Sequence, residues 1–405
     1  MQGFVLGVFA LVYLGMILGG LPGLALDRTG IALLGALALV AGGALTPAEA
    51  WAAIDVPTIA LLFGIMLLSS QLCASGFYAR VTDRIAHLDV KPATLLFAVI
   101  AVAGLLSAVL VNDVVCLAMA PLLVDGCARR QLDPVPFLLG LAAGSNVGSA
   151  ATLIGNPQNM LIGQSLGLSF GGYLLDALVP SVLGLAVVQL VIVSTVRGRW
   201  TRAASVPREA PIPYDAGATW KALLGAGLLV VLFLATDVPR EVLALGVAGV
   251  LLLSRRTRSR ELLARVDGQL LVLFMGLFVV HRALANTGRL PELVAELSAH
   301  GVDLHHPRAL FLACVPLSNV VSNVPAVMLL LPQATHPASG AVLALASTLA
   351  GNLVLVGSIA NLIVVDQAAR QGVVIGWREH ARVGVPIALF TLAIAAAWLA
   401  LRFAA

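Results

Sequence analysis

The feature that most limits how this chain can fold is a succession of apolar runs, each near the length of a bilayer crossing. A hydrocarbon core of ~30 Å takes about 20 mostly apolar residues in a helix. Ten runs are read as spans: 3–26, 29–45, 56–76, 137–166, 171–196, 217–236, 239–254, 268–286, 340–366 and 383–403. With 60% apolar and only 11% charged residues, the chain cannot clothe a water-soluble surface, and it falls in the polytopic membrane class. The first 25 residues carry no basic n-region and no convincing cleavage site, so they read as a retained span. Cys73, Cys116, Cys127 and Cys314 are scattered without metal-ligand spacing and read as structural thiols.

Polar breaks inside this apolar background carry the functional information. The stretch from Gly144 to Asn159 is small, polar and broken by Pro157, yet apolar residues flank it on both sides. Pro157 removes a backbone donor and disfavours helix at Asn156, while Gly148 and Gly155 permit unusual backbone angles. Irregular backbone at membrane depth survives only where it is walled by protein or lines a cavity, and interrupted helices of this kind mark transporter sites. Two further apolar segments, 93–124 and 308–332, are broken at Asn112-Asp113 and at Ser322-Asn323. Each is read as a reentrant hairpin with its tip at the break.

The chain also repeats. Ala53-Ile54-Asp55, Gly64 and Gly76 answer Arg265-Val266-Asp267, Gly276 and Gly288 at an offset of 212. Asn112 answers Asn323, Asn146 answers Asn352, Gly155 answers Gly357, and Asn159 answers Asn361. Residues 1–200 and 217–405 therefore read as two repeats, each of five spans plus one hairpin, joined by a cytoplasmic linker at 201–216. An odd span count inverts the second repeat, and substrate sites of such proteins lie near the midplane at the repeat interface. The fold expected is all-α and polytopic, with broken helices 137–166 and 340–366 at the midplane. Nineteen of the 24 Lys and Arg residues fall in loops assigned to one side, which places that side in the cytoplasm and both termini outside.

The four breaks should converge, so that Asn112, Asn146, Asn159, Asn323, Asn352 and Asn361 surround one cavity. Helix ends at such breaks offer free amides to anions and free carbonyls to cations, and Asn completes either shell without charge. The substrate and ion site is assigned to Asn112, Asp113, Asn146, Gly148, Thr152, Gly155, Asn156, Asn159, Ser322, Asn323, Asn352, Gly357, Ser358 and Asn361. Na⁺, where it is the coupling ion, is placed near Asn112, Asp113 and Asn156. Asp113 is the one carboxylate expected at the midplane, where an acid serves as a cation ligand or proton carrier, and its bland alternative is an N-terminal helix cap. His281-Arg282 and Ser69-Ser70-Gln71 are set aside as interfacial or helix-pairing groups, and Asp55, Asp267 and Asp366 as caps or solvated residues.

The Asn-bearing tips, the Gly155-Asn156-Pro157-Gln158-Asn159 element and its shorter copy Gly357-Ser358-Ile359-Ala360-Asn361 resemble the ion transporter superfamily of arsenite permeases, citrate–metal transporters and divalent-anion/sodium symporters. The resemblance covers nearly the whole chain. Members carry Ser-Asn-Thr at both tips, whereas this chain has Val111-Asn112-Asp113 and Ser322-Asn323-Val324. The first of these looks closer to the arsenite-permease branch, and the Gly-Asn-Pro-Gln-Asn element looks like bacterial anion permeases.

The resemblance implies secondary transport of a small anion or oxyanion across the inner membrane, coupled to Na⁺ or H⁺, with no other cofactor. Cation/proton antiport is the alternative. The partners expected are lipid, a small anionic substrate and a second copy of the chain, with an ATPase subunit if the arsenite-permease likeness extends that far. No nucleic-acid partner is expected. A membrane-embedded enzyme is disfavoured, because only Asp113 of the groups such chemistry needs lies at depth.

Overall fold

The structure is a computed structural model describing residues 1–20, 23–201, 213–254 and 257–403. The expected linker falls largely outside the described residues, as do the loop arginines Arg202, Arg208, Arg255 and Arg256. The first half holds α1 (Gln2–Leu18), α2 (Arg28–Ala41), α3 (Pro47–Ala53), α4 (Val56–Ala74), α5 (Phe77–Ala86), α6 (Pro92–Val109), α7 (Asn112–Arg129), α8 (Pro134–Ser149), α9 (Pro157–Ser165) and α10 (Phe170–Val196). The second half holds α11 (Ala216–Ala235), α12 (Arg240–Leu252), α13 (Ser259–Leu263), α14 (Gly268–Asn286), α15 (Arg289–Ala299), α16 (Pro307–Val321), α17 (Asn323–Leu330), α18 (Ser339–Ala350), α19 (Ile359–Arg370) and α20 (Trp377–Arg402).

Short polar signals set these boundaries. Asp55 caps α4 by accepting from the Thr58 amide, and Asp267 caps α14 by accepting from the Leu270 amide. Gly76 and Gly288 sit in left-handed conformations just before α5 and α15, where a side chain would be strained. Pro134 and Pro157 open α8 and α9 at positions whose amide needs no helical partner.

Six helices (α4, α6, α10, α11, α14 and α20) are long and apolar enough to cross a bilayer by length and composition. Five of these match expected spans and α6 is the first arm of the expected hairpin 93–124; of the other five expected spans, two divide in two and three are single shorter helices. The segment 137–166 becomes α8 and α9, the segment 340–366 becomes α18 and α19, and 3–26 shortens to the 17 residues of α1. The first helix pair extends from Pro92 to Arg129, five residues beyond the expected hairpin end. The amphipathic α5 and α15 were not expected, although Phe77, Tyr78, Val81 and Ile85 recur at helical spacing between Arg80, Asp83 and Arg84.

Packing places α4 on α12 and α2 on α14, at two close crossings of the same kind. A Cβ on Gly64 would lie 2.8 Å from the backbone of Ala244, and one on Gly276 would lie 2.8 Å from the backbone of Ala32. Small residues there let the helix backbones approach, as they commonly do in membranes. Around them α6 packs on α8, α16 on α18, and α10 on α20. Several basic loops meet one another: Arg130 donates to the carbonyls of Leu88 (2.6 Å) and Val90 (2.9 Å), and the Asp133 amide donates to the Trp200 carbonyl (2.8 Å).

Candidate functional site

At the first tip, α6 stops at Val109 and α7 starts at Asn112, with Leu110 and Val111 extended between them. The Asn112 amide donates to the Gly155 carbonyl (3.1 Å), so the interrupted chain after α8 covers the start of α7. Ser145 Oγ donates to the Asn112 carbonyl (3.3 Å) and lies 2.8 Å from Ser107 Oγ. Asp113 is the second residue of α7 and is half-buried. It does not cap the helix; Val111 holds that position without a side-chain bond. Among the described residues, no group forms a hydrogen bond or ion pair with the Asp113 carboxylate.

The second tip turns on one residue. Ser322 ends α16 and precedes α17 with φ 76° and ψ 158°, a region that side chains rarely adopt. Asn323 begins α17, and its side-chain Nδ2, with the amide turned to the orientation that satisfies both of its ends, donates to the carbonyls of Ser347 (3.0 Å) and Gly357 (3.3 Å). The Gly357 carbonyl thus accepts from the side chain at the second tip, where the Gly155 carbonyl accepts from the backbone at the first.

The two interrupted helices are held by their own asparagines. Asn156 caps α9 by accepting from the Asn159 amide (2.9 Å), and its nitrogen donates to Ser149 Oγ (3.0 Å) and Thr348 Oγ1 (3.2 Å). Asn159 donates to the Thr152 carbonyl (2.9 Å) and to Tyr173 Oη (3.2 Å). Asn361 donates to the Gly351 carbonyl (2.8 Å), ten residues back, where Asn159 reaches the Ser149 carbonyl (3.4 Å), also ten residues back. Asn146 joins the halves. Its nitrogen donates to Asn352 Oδ1 (2.9 Å) and Asn361 Oδ1 (3.1 Å), while its oxygen accepts from Ser358 Oγ (2.9 Å). Asn112 Nδ2 lies 3.5 Å from the same oxygen.

Between these elements lies a cavity of about 30 Å³, lined by Asn112, Asp113, Asn146, Pro157, Gln158, Leu270, Ser322, Asn323, Val324, Ser358 and Ile359. Room for about one water is all that this volume provides. Four helices begin at its wall: α7 with Asn112-Asp113, α9 with Pro157-Gln158, α17 with Asn323-Val324 and α19 at Ser358-Ile359. Their amide ends each contribute a partial positive charge, and Asp113 is the one charged side chain in the lining.

Of the residues assigned from sequence, Asn112, Asp113, Asn146, Ser322, Asn323 and Ser358 line this cavity. Asn156, Asn159, Asn352 and Asn361 stand behind it as supports, bonded as above. Thr152 donates to the Ala108 carbonyl and ties the interruption to α6. Gly148 and Gly155 are packing positions, since added Cβ atoms would lie 2.2 Å from the Gly104 carbonyl oxygen and 2.3 Å from that of Ser149. Pro157, Gln158, Val324, Leu270 and Ile359 also line the cavity and were not assigned. Gln158 stood inside the quoted Gly-Asn-Pro-Gln-Asn element, whereas Leu270 comes from α14 and no local signal marks it. Thr348 was also missed, and it bonds Asn156, Gln158 and Asn159 together. His281 pairs with Tyr13 Oη (2.5 Å) and is absent from the cavity lining.

The family model for citrate transporters, CitMHS, matches residues 9–350 of the 405. The chain belongs to this family. Among its relatives, an uncharacterised transporter of Mycobacterium tuberculosis (strain ATCC 25618 / H37Rv) is 29% identical, covering 93% of this chain and 94% of that protein. The silicon efflux transporter LSI3 of Oryza sativa subsp. japonica is 27% identical over 95% of each chain. The inner membrane protein YbiR of Escherichia coli (strain K12) is 31% identical, covering 82% of this chain and 85% of that protein. The crystal structure of the Alcanivorax borkumensis YdaH transporter superposes with a TM-score of 0.60 at 16% identity, covering 99% of this chain and 97% of that one. The likeness to YdaH is one of fold. This citrate transporter family member is a multi-pass membrane transporter.

Proposed function

We propose that this protein is a secondary active transporter that moves a small anion or oxyanion across the cytoplasmic membrane. The observation that carries this reading is the meeting of four helix N-termini around one cavity. Four amide ends favour an anion, neutral Asn and Ser groups complete its shell, and the single carboxylate beside it, Asp113, needs a coupling cation or proton to offset its charge. Asp113, half-buried and without a hydrogen-bonded partner, is the group that takes the coupling ion, either as a Na⁺ ligand or by carrying a proton. Val324 occupies the same place at the second tip, as the second residue of α17, so the two tips differ chemically and one coupling ion is expected rather than a symmetric pair.

The two halves act as inverted repeats, with α6–α7 and α16–α17 as reentrant hairpins. Support comes from the matched order of α1–α10 and α11–α20, the paired caps Asp55 and Asp267, and the paired crossings at Gly64 and Gly276. The cavity is too small for a citrate-sized ligand in this conformation, so the elements around it must move apart before such a substrate can enter.

Uptake into proteoliposomes, scanned over arsenite, citrate, dicarboxylates, silicate and sulfate under separate Na⁺ and pH gradients, tests the reading. One anion should accumulate under one gradient. Asp113→Asn should abolish that accumulation while leaving substrate exchange partly intact. Uphill transport by Asp113→Asn at the wild-type rate would remove Asp113 from the mechanism, and cation uptake with no anion dependence would favour the antiport alternative.

A further inference from the structure

Arg28 opens α2 and Arg240 opens α12, corresponding positions at an offset of 212. Their surroundings differ. Arg240 donates to the Gly163 carbonyl at the end of α9 (2.8 Å), and the adjacent Glu241 accepts from Gln164 Nε2 (2.9 Å). Arg28 has no hydrogen-bond or ion-pair partner among the described residues, and its Nε is buried and unsatisfied. It lines a cavity of about 430 Å³ that also contains Leu18, Thr29 and Asp267, with Val356, Ile359 and Leu362 on the α19 side. Thus α9 is fastened to the start of α12, while a space separates the start of α2 from α19.

Because α9 and α19 correspond at an offset of 202, Gly163 and Gln164 answer Val365 and Asp366. We propose that Arg240 and Arg28 are alternating latches: Arg240 holds α9 in the state described here, and Arg28 pairs with Asp366 in the opposite state, once that space has closed. This rests on the alternating-access reading above. The change of partner, from a backbone carbonyl to a carboxylate, follows from helix length. Helix α9 ends at Ser165, so the Gly163 carbonyl is freed from the helical ladder in the last turn; it accepts from the Leu168 amide (3.1 Å) and has its second lone pair for Arg240. Helix α19 continues to Arg370, which puts the Val365 carbonyl inside the helix and leaves the Asp366 side chain as the available acceptor.

The neighbouring pair matches with its roles exchanged. On the fastened side Gln164 donates and Glu241 accepts. On the open side Thr29 supplies the donor and Asp366 the acceptor. Both are weakly committed here: Thr29 Oγ1 reaches the Gln269 carbonyl at 3.4 Å, and Asp366 pairs with Arg370 at 2.9 Å where both side chains are exposed. A latch at each end of the motion keeps either state from being favoured outright, which a reversible cycle needs.

The test uses the full-length protein in membranes with Cys73 replaced by Ser, the other three cysteines being buried. Arg28→Cys with Asp366→Cys should be bridged by a short bifunctional thiol reagent, and Gln164→Cys with Glu241→Cys should be bridged as a control for the state described. Separately, Ile359→Cys is labelled with an impermeant maleimide from each side of oriented vesicles. Arg28→Ala and Asp366→Ala should each lower labelling from the side that opens in the opposite state by about tenfold relative to the parent, the ratio expected for losing one charge-assisted hydrogen bond. Arg240→Ala should raise it, and Arg28→Glu combined with Asp366→Lys should restore it. If Ile359→Cys labels from both sides but the 28–366 pair never bridges and neither alanine variant moves the ratio, the latch is refuted while alternating access stands. If Ile359→Cys labels from one side only in every variant, alternating access itself fails and the latch with it.

Discussion

Asn146 is the residue whose loss should be felt in both halves at once, and Asn146→Ala is the sharpest test of how the two interrupted helices are joined. The substitution removes two donated bonds, to Asn352 and Asn361, and one accepted bond, from Ser358, all between 2.9 and 3.1 Å. At roughly 1 kcal/mol each, these amount to about 3 kcal/mol. Asn352 is buried and its Nδ2 already lacks a partner, so its side chain would then be left without any hydrogen bond. Ser358→Ala removes only one of the three bonds and should cost about 1 kcal/mol. Asn146→Asp is no rescue. It keeps the acceptor for Ser358 but sets oxygen against Asn361 Oδ1, and Asn361 cannot turn its amide without releasing the Gly351 carbonyl. Thermal unfolding of the purified protein in detergent, read by loss of the monodisperse chromatographic peak, ranks these variants. Asn146→Ala and Asn146→Asp should melt well below Ser358→Ala, and Ser358→Ala below wild type. Equal melting of Asn146→Ala and Ser358→Ala would show that Asn146 is not the junction described.

Ser322→Gly should stabilise the protein by about 1 kcal/mol, since a side chain at φ 76°, ψ 158° costs ~1–3 kcal/mol and glycine's added unfolded-state entropy returns only part of that. Ser322→Ala keeps the same strain and should not stabilise; melting curves of the pair decide it. Gly148→Ala should lower the melting temperature more than Gly227→Ala, because its new methyl would meet the Gly104 backbone whereas Gly227 has open space around it. Arg258→Cys should resist labelling by an impermeant maleimide applied to intact cells if the basic loops are cytoplasmic, and ready labelling would reverse the proposed topology.

Where this chain breaks is written in its local chemistry. Pro157 cannot donate and Asn156 is pushed from helix, so α8 and α9 separate there whatever surrounds them. The tips at Asn112 and Asn323 were legible for a related reason, as polar residues interrupting runs that would otherwise continue as apolar helix. The caps of α4 and α14 could be read from Asp55 and Asp267, because a cap is a contact between residues three apart. What the tertiary structure decided was which side of each break faces the cavity. Gly148 and Thr152 belong to the same polar stretch as Asn146, yet α6 packs against one and accepts a hydrogen bond from the other, so neither reaches the lining. Leu270 reaches it only because α14 is held there by its crossing with α2, a contact across more than 200 residues that no local pattern records. Arg28 and Arg240 occupy equivalent places in the sequence, but one is bonded and the other is not. That difference arises from the position of one half against the other, and a repeat in sequence is blind to it.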